Sequence, residues 1–426
     1  MHDFELSIDP ISKVEGSAAL DIKVVKGEVD LKFRVNESKR FFTQALKGMD
    51  FKGMPQLVSR ICGVCSTAHL LASMHSVENA LNVTPSEQTV KLRKLTTYGA
   101  NIRDHALHLY MFVLPDYFRK DSVLDFETEE ERKLLHECFH VKAAGNALVT
   151  GVAGKAVHAP FPQINGFLKT PKNEDLKQTV AKLDDIRSDV LTLIDLFYKW
   201  DVKFVRPTKY VALKNNDCAY VGGDIACSDG EIIEKKDFFH HFNRVVIPYS
   251  EATSFVHEKN SYVVGAVARL NINKDHLHKD TKKDASKALS RFPSSNVYDN
   301  NLAQAIEILH CIDASKEMIE STDFKEEKIP PLKLKECEGV GVAEAPRGLL
   351  YYLVTLNKAG KIRKANLAIP SGQNLVQMQK DLKLYIEKNL DKDKKELERD
   401  IEMLIRAYDP CMSCATHFIK FKWEGI

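Results

Sequence analysis

The chain has 426 residues, 44% of them hydrophobic and 28% charged, the composition of a soluble globular protein with a sizeable core. Its 61 Lys and Arg stand against 59 Asp and Glu, a net charge of +2, so no global basic field points to nucleic acid or to an acidic membrane surface. The start, MHDFELSIDP, has no basic stretch followed by an apolar core, and no run of about 18 apolar residues occurs anywhere, so a cytoplasmic protein without a membrane span is expected.

Residues 5–35 alternate apolar and polar side chains (AALDIKVV, then VDLKFRV) around Gly27 and Glu28, which predicts an antiparallel hairpin. Glu15, just before Gly16, lies in this segment. Apolar spacing of three and four then predicts helices over about 64–82, 86–113, 128–149 and 173–198. The first begins after a glycine-containing turn, with Cys62 at its entrance and Cys65 in its first turn. Between 202 and 273 short strand-like runs (YVALKN, AYVGGD, SYVVGAVARLNI) predict a modest sheet packed on the helices. The Lys-rich residues 273–287 read as a solvated surface excursion, and 300–320 as another helix. IPPLKLKE, RGLLYYLVTL and KIRKANLAI read as short strands, and a last helical stretch reaches Ala407. Neither repeat nor linker interrupts the pattern. The expected architecture is a predominantly helical α+β fold with small peripheral antiparallel sheets, in one domain spanning 1–426.

Nine cysteines, an odd number without regular spacing, argue against a disulfide framework and for a reduced compartment. Four of them form two short pairs at opposite ends of the chain. Cys62 and Cys65 stand in RICGVCSTAH, Cys411 and Cys414 in DPCMSCATH, and each pair is followed by a histidine, His69 or His417. Four thiolates gathered from such distant segments hold a soft transition metal that no local loop could enclose. Cys65 and His69, four apart, share a helix face. The positive end of that helix favours the ionised, metal-binding thiol. A single CxxC pair fits half of a structural zinc site equally well, but zinc ribbons place their two pairs roughly 15–20 residues apart.

RxCGxCxxxH near one end and DPCxxCxxH near the other resemble the motifs of nickel-iron hydrogenase large subunits. KVEGS, NIRDHALHLY, HAPFPQINGF, EAPRGLL and IPSGQN agree, so the resemblance spans nearly the whole chain. It implies that Cys62, Cys65, Cys411 and Cys414 bind nickel, and that Cys65 and Cys414 also bridge to an iron carrying carbon monoxide and cyanide. Hydrogen would be split heterolytically, the proton going to the sulfur of Cys411 or Cys414. By the same resemblance Glu15 passes that proton onward, Arg347 hangs over the metals, Asp104 and Asp409 are carboxylates near that arginine, Ser371 hydrogen-bonds a cyanide, and His69 hydrogen-bonds a bridging sulfur. Many relatives have a glutamate where RFFTQAL has Thr43. The glutamate serves a magnesium site that His417 would share, so magnesium is left open here.

Hydrogen oxidation needs an exit for electrons, and Cys138, Cys218, Cys227, Cys311 and Cys337 are scattered singly, with no iron-sulfur motif. An iron-sulfur small subunit is therefore expected. The resemblance is to the cytoplasmic carrier-linked group, which implies further subunits that reduce NAD(P), coenzyme F420 or a heterodisulfide reductase. It also implies maturation proteins, and a protease that removes FIKFKWEGI, residues 418–426, once nickel is inserted. Two other readings are a hydrogen-sensing regulatory subunit with the same centre and low turnover, and a metal-free scaffold of the quinone-reductase type. Retention of all four cysteines argues against the scaffold.

Overall fold

In a computed structural model, which describes residues 3–416 apart from Lys39, Asn216 and Ala219, the alternating N-terminal segment forms three strands. These are β1 (Phe4–Ile8), β2 (Ala18–Val25) and β3 (Glu28–Val35), antiparallel in that order. Lys26 and Gly27 both take positive φ, which is the primed two-residue turn that matches the twist of its strands. Glu15 lies in the connection between β1 and β2, outside the ladder.

The helices follow the predicted order. They are α1 (Ser66–Leu81), α2 (Glu87–Ala106), α3 (Glu129–Ala153) and α4 (Asn173–Lys199). Local chemistry sets their ends. Ser86 caps α2 through a bond to the amide of Thr89, Thr128 and Glu131 form a capping box at α3, and Asn82 closes α1 in the left-handed conformation. Past Ala106, α2 runs on as a π-helical stretch, Leu107–Val113, which carries His108 inward.

The middle of the chain forms a four-stranded sheet of β4 (Lys209–Lys214), β5 (Asp224–Cys227), β6 (Ile232–Ile233) and β7 (Tyr262–Val263), in the order β7-β4-β5-β6. The run SYVVGAVARLNI is a strand only as far as Val263. At Gly265 the backbone turns with φ +129°, and the remainder is helix α5 (Ala266–Asn273). Residues 274–289 form short helical turns. Their lysines face outward while Thr281, Ala285 and Ala288 are buried.

Helix α6 (Asp299–Glu320) is buried almost all round and forms the centre of the molecule. IPPLKLKE is no strand. Two prolines lack ladder donors, and its side chains are mostly exposed. The last sheet is β8 (Cys337–Ala345), β9 (Gly348–Leu356) and β10 (Ile362–Ala368), an antiparallel meander. The C-terminal helical stretch is two helices, α7 (Pro370–Glu387) and α8 (Lys394–Ala407), followed by one short turn, α9 (Met412–Ala415).

Strand β8 lies directly on α1. A Cβ added at Gly341 would sit 2.0 Å from the carbonyl oxygen of Ala72 and 2.4 Å from the amide of Ser76, so only glycine permits this approach. The helix that begins at Cys65 is thereby fixed against the sheet whose next turn carries Arg347. The resulting architecture is the expected helical α+β fold.

Candidate metal centre

The two cysteine pairs meet. The sulfurs of Cys62, Cys65, Cys411 and Cys414 all lie within 4.8 Å of one another, and all four residues are buried. Cys411 Sγ is 2.9 Å from Cys414 Sγ and 3.6 Å from Cys62 Sγ. Cys65, expected in the first turn, occupies the N-cap of α1, which starts at Ser66, and its amide donates to Cys62 Sγ at 3.5 Å. The neighbouring sulfurs push the Cys62 thiol down by hydrogen bonding, whereas burial pushes Cys411 and Cys414 up. Burial also raises Cys138 and Cys227 to about 12, outweighing the opposing charges of Lys142 and Lys209, so those two are inert structural thiols.

Arg40 clamps the two motifs together. Its guanidinium donates to the carbonyl of Ile61 at 2.7 Å and to that of Ser413, and its amide donates to the carbonyl of Thr416 at 3.0 Å. Glu15 joins the same seam, its carbonyl accepting from the Met412 amide at 2.8 Å. Its half-buried carboxyl is raised above the usual range, first by desolvation and then by the negative field of Cys62.

Arg347 reaches over the sulfurs. Its Nη1 is 3.4 Å from Cys65 Sγ and its Nη2 pairs with Asp409 Oδ1 at 2.9 Å. Asp409 takes a left-handed φ of +47° where α8 ends before Pro410, and its second oxygen accepts from Gln304 Nε2 at 2.8 Å. Asp104 is close by, but its ion pair is with Arg103 Nε at 2.7 Å instead of with Arg347. Burial raises Asp104 to about 6, and its Oδ2 has no hydrogen-bond partner among the described residues. Ser371 Oγ accepts from the Cys411 amide at 2.8 Å. His69 Nδ1 bonds the Tyr352 hydroxyl at 2.7 Å, and burial lowers the ring to about 4, so it is neutral at pH 7.

The sequence reading missed the residues that hold these in place. Asn300, Gln304 and Glu307 recur at four and three residues along α6 and therefore share one face. Asn300 donates to the carbonyl of Ala407 at 3.0 Å, and Gln304 Oε1 meets His108 Nδ1 at 2.6 Å. His108 and Arg40 stand inside HALHLY and RFFTQAL, which was the available signal for them. Thr43 is half-buried in a short turn, Phe42–Ala45. His417 and the tail 418–426 lie outside the described residues. In a second His and carboxylate group, Glu231, His241, His257 and Glu258, the Glu231 carboxylate is paired with Lys209, whose Nζ is 3.3 Å away.

Four buried thiols at mutual contact suit a soft metal, and the excess of negative charge they create on ionising is met by Arg347. The sequence profile of the nickel-dependent hydrogenases matches residues 40–158 and 242–417, a span that includes both cysteine pairs. The chain belongs to this family. It is a hydrogenase large subunit, an oxidoreductase that acts on hydrogen and depends on nickel. It is 30% identical to the sulfhydrogenase 1 subunit alpha of Pyrococcus furiosus over 424 residues, covering 97% of this chain and 98% of that one. It is 26% identical to the HoxS subunit beta of the NAD-reducing hydrogenase of Cupriavidus necator, covering 97% and 94%. A solved NAD+-reducing [NiFe]-hydrogenase in its H2-reduced state has the same fold, with a TM-score of 0.87 at 24% identity over 97% of this chain and 99% of that one. These relatives are subunits of larger hydrogenases. Among the described residues, no helix of this hydrogenase is long and apolar enough to cross a membrane.

Proposed function

We propose that this chain is the catalytic subunit that cleaves H2 reversibly into protons and electrons and passes the electrons to an iron-sulfur partner subunit. The observation that carries this reading is the convergence of four buried thiols beneath an arginine, with a carboxyl of raised proton affinity at the edge. Cys62, Cys65, Cys411 and Cys414 would hold a nickel-iron pair, which when bound would supply heterolytic H2 cleavage and take up the two electrons.

The residues around it divide the remaining work. The sulfur of Cys411 or Cys414 takes the proton, and the Glu15 carboxylate receives it next. Its raised proton affinity suits that transfer, and its partial exposure gives it a route toward water. Arg347 offsets thiolate charge in a site of low dielectric, and Asp409 and Gln304 keep its guanidinium from swinging away. Asp104, at about 6, can hold or release a proton near neutrality. Ser371 accepts from Cys411 and so keeps its own O–H free to donate to an iron-bound cyanide. Neutral His69 has its second ring nitrogen for a bridging sulfur. Thr43 brings no carboxylate, so magnesium is given no step.

The five remaining cysteines leave electron transfer to an iron-sulfur small subunit. The likeness to an NAD-reducing hydrogenase supports a soluble carrier of the NAD(P) type and a cytoplasmic setting, with coenzyme F420 and a heterodisulfide reductase as the other acceptors the reading allows. A core running from Ile8 to Ala415 supports reading the chain as one domain. Residues 418–426 are read as a tail removed after nickel insertion; fully active enzyme whose intact mass includes Ile426 would refute processing.

The decisive experiment is coexpression with partner and maturation proteins, followed by elemental analysis, infrared spectroscopy for iron-bound carbon monoxide and cyanide, and H2 uptake with an artificial acceptor. Nickel, iron and the diatomic bands are expected together with rapid uptake. Absence of nickel and bands would sink the metal assignment, and an assembled centre without turnover would convert the reading to a hydrogen sensor.

A further inference from the structure

Arg347 sits in the two-residue turn between β8 and β9, where Ala345 pairs with Gly348. Pro346 begins that turn. Its ring holds φ near −65°, which excludes the primed turns that fit a two-residue hairpin. The turn therefore needs support from outside the ladder. Arg269 on α5 gives it, donating from Nη1 to the carbonyl of Ala345 and from Nη2 to that of Pro346, both at 2.9 Å.

Arg269 is itself held from three sides. Glu307 on α6 accepts from its Nε and Nη2 at 2.6 and 2.7 Å, and Glu344, on β8, accepts from Nη1 at 3.0 Å. The ring of Tyr220 lies against the guanidinium, 5.3 Å from its centroid. His105, next to Asp104 in the chain, bonds Glu307 at 2.9 Å. All these side chains are buried, so the network spends desolvation that ion pairing in an interior seldom returns. Net stabilisation is a poor explanation for it. Its geometry ends at the two carbonyls beside Arg347. The backbone packs there as well, since a Cβ on Gly348 would meet the Gly265 amide at 2.7 Å. Arg347 needs such fixing, because its Nε is buried with no hydrogen-bond partner among the described residues.

We infer that Arg269 is a positioning residue for Arg347, fixing through the Ala345 and Pro346 carbonyls the height at which the guanidinium stands over the thiolates. The inference rests on the reading of Arg347 given above. Lysine keeps the charge but has three donors from one nitrogen, and cannot serve two carbonyls and two carboxylates at once.

The test uses the complex coexpressed with its partner and maturation proteins, in variants R269K, R347K and R269K/R347K. R347K is expected to lower H2 uptake at least about 100-fold. R269K is expected to load nickel as the wild type does, to shift the carbon monoxide and cyanide infrared bands, and to lower uptake at least about tenfold. The double variant should be no slower than R347K, because both changes remove one function. Wild-type bands with uptake within twofold in loaded R269K, or losses that multiply in the double variant, would overturn the inference. R347K with wild-type uptake would instead sink the reading of Arg347, and the positioning role with it. Should R269K fail to load nickel, the charge-balanced R269Q/E307Q takes its place, and failure of both assigns Arg269 to folding and overturns the inference.

Discussion

The carbonyl of Glu15 accepts a 2.8 Å hydrogen bond from the amide of Met412, so the proposed proton acceptor is tied through its backbone to the segment that carries Cys411 and Cys414. Its side chain is not part of that tie. Glu15→Gln should therefore leave the centre assembled, with nickel content and infrared bands like those of the wild type. Exchange between D2 and solvent protons should fall by about 100-fold or more, the usual loss when a proton-transfer group is removed. Failure to assemble would move Glu15 from proton transfer to structural support.

Cys414→Ser replaces a soft donor by a hard one at the middle of the cluster. Nickel per chain should drop at least about tenfold and H2 uptake should vanish. Cys138→Ser is the matched control, a buried thiol on α3 that lies 4.0 Å from the Ala106 carbonyl and belongs to no metal-capable cluster among the described residues. Its nickel content should not change. Equal nickel in the two variants would contradict the assignment of the four thiols as the metal site.

How much of this was readable beforehand depends on the range of the interactions. Helices α2, α3, α4 and α6 were legible because their apolar periodicity is local, as are the caps of α2 and α3. Convergence of the cysteines was legible only through paired motifs, since spacing alone cannot bring Cys65 to Cys411. The residues that aim the site were not legible. Gln304 and Glu307 lie on a helix buried almost all round, where their shared face is not set apart from a solvated one, and their partners Asp409 and Arg269 are distant in sequence. The strand-to-helix change within SYVVGAVARLNI turns on the φ of Gly265, which apolar alternation does not report. Asp104 stands near enough to Arg347 to feel its charge, but its ion pair with the adjacent Arg103 was not legible from the sequence.

Two glycines separate close packing from helix propensity. In Gly341→Ala the new methyl meets the backbone of α1, which cannot move away as a side chain would, so destabilisation of about 3 kcal/mol or more is expected, with reduced nickel loading because α1 begins at Cys65. In Gly151→Ala, inside α3, the nearest atom is Thr179 Oγ1 at 3.7 Å, an ordinary contact. That variant should be more stable, by up to about 1 kcal/mol. Apparent melting temperatures of the two purified complexes check the contrast, and a Gly341→Ala protein that melts with the wild type would refute the close approach of β8 to α1.

Glu344 gives the fold a pH dependence whose sign can be worked out. Burial raises its carboxyl from the ordinary 4.5 to about 7. Between those values the folded chain holds a proton that the unfolded chain has released, so this group's contribution is full below about 4.5 and is lost as the pH rises through about 7. For a fully buried carboxyl that loss is on the order of 3 kcal/mol. Glu307 works in the opposite sense. Arg269 and His105 overcome its burial and hold it down to about 2, so its contribution disappears only as the pH falls from 4.5 toward 2. Between pH 5 and pH 8 the slope due to this pair therefore comes from Glu344 alone. Glu344→Gln removes that titration while keeping an acceptor for the Leu213 amide, which bonds the Glu344 carboxyl at 2.7 Å. The stability of the wild type relative to Glu344→Gln should accordingly decrease from pH 5 to pH 8, read as the difference between their apparent melting temperatures at each pH. Parallel curves would mean that Glu344 does not hold its proton in the folded state, and that the buried charge of Arg269 is shared by two ionised carboxylates at neutrality.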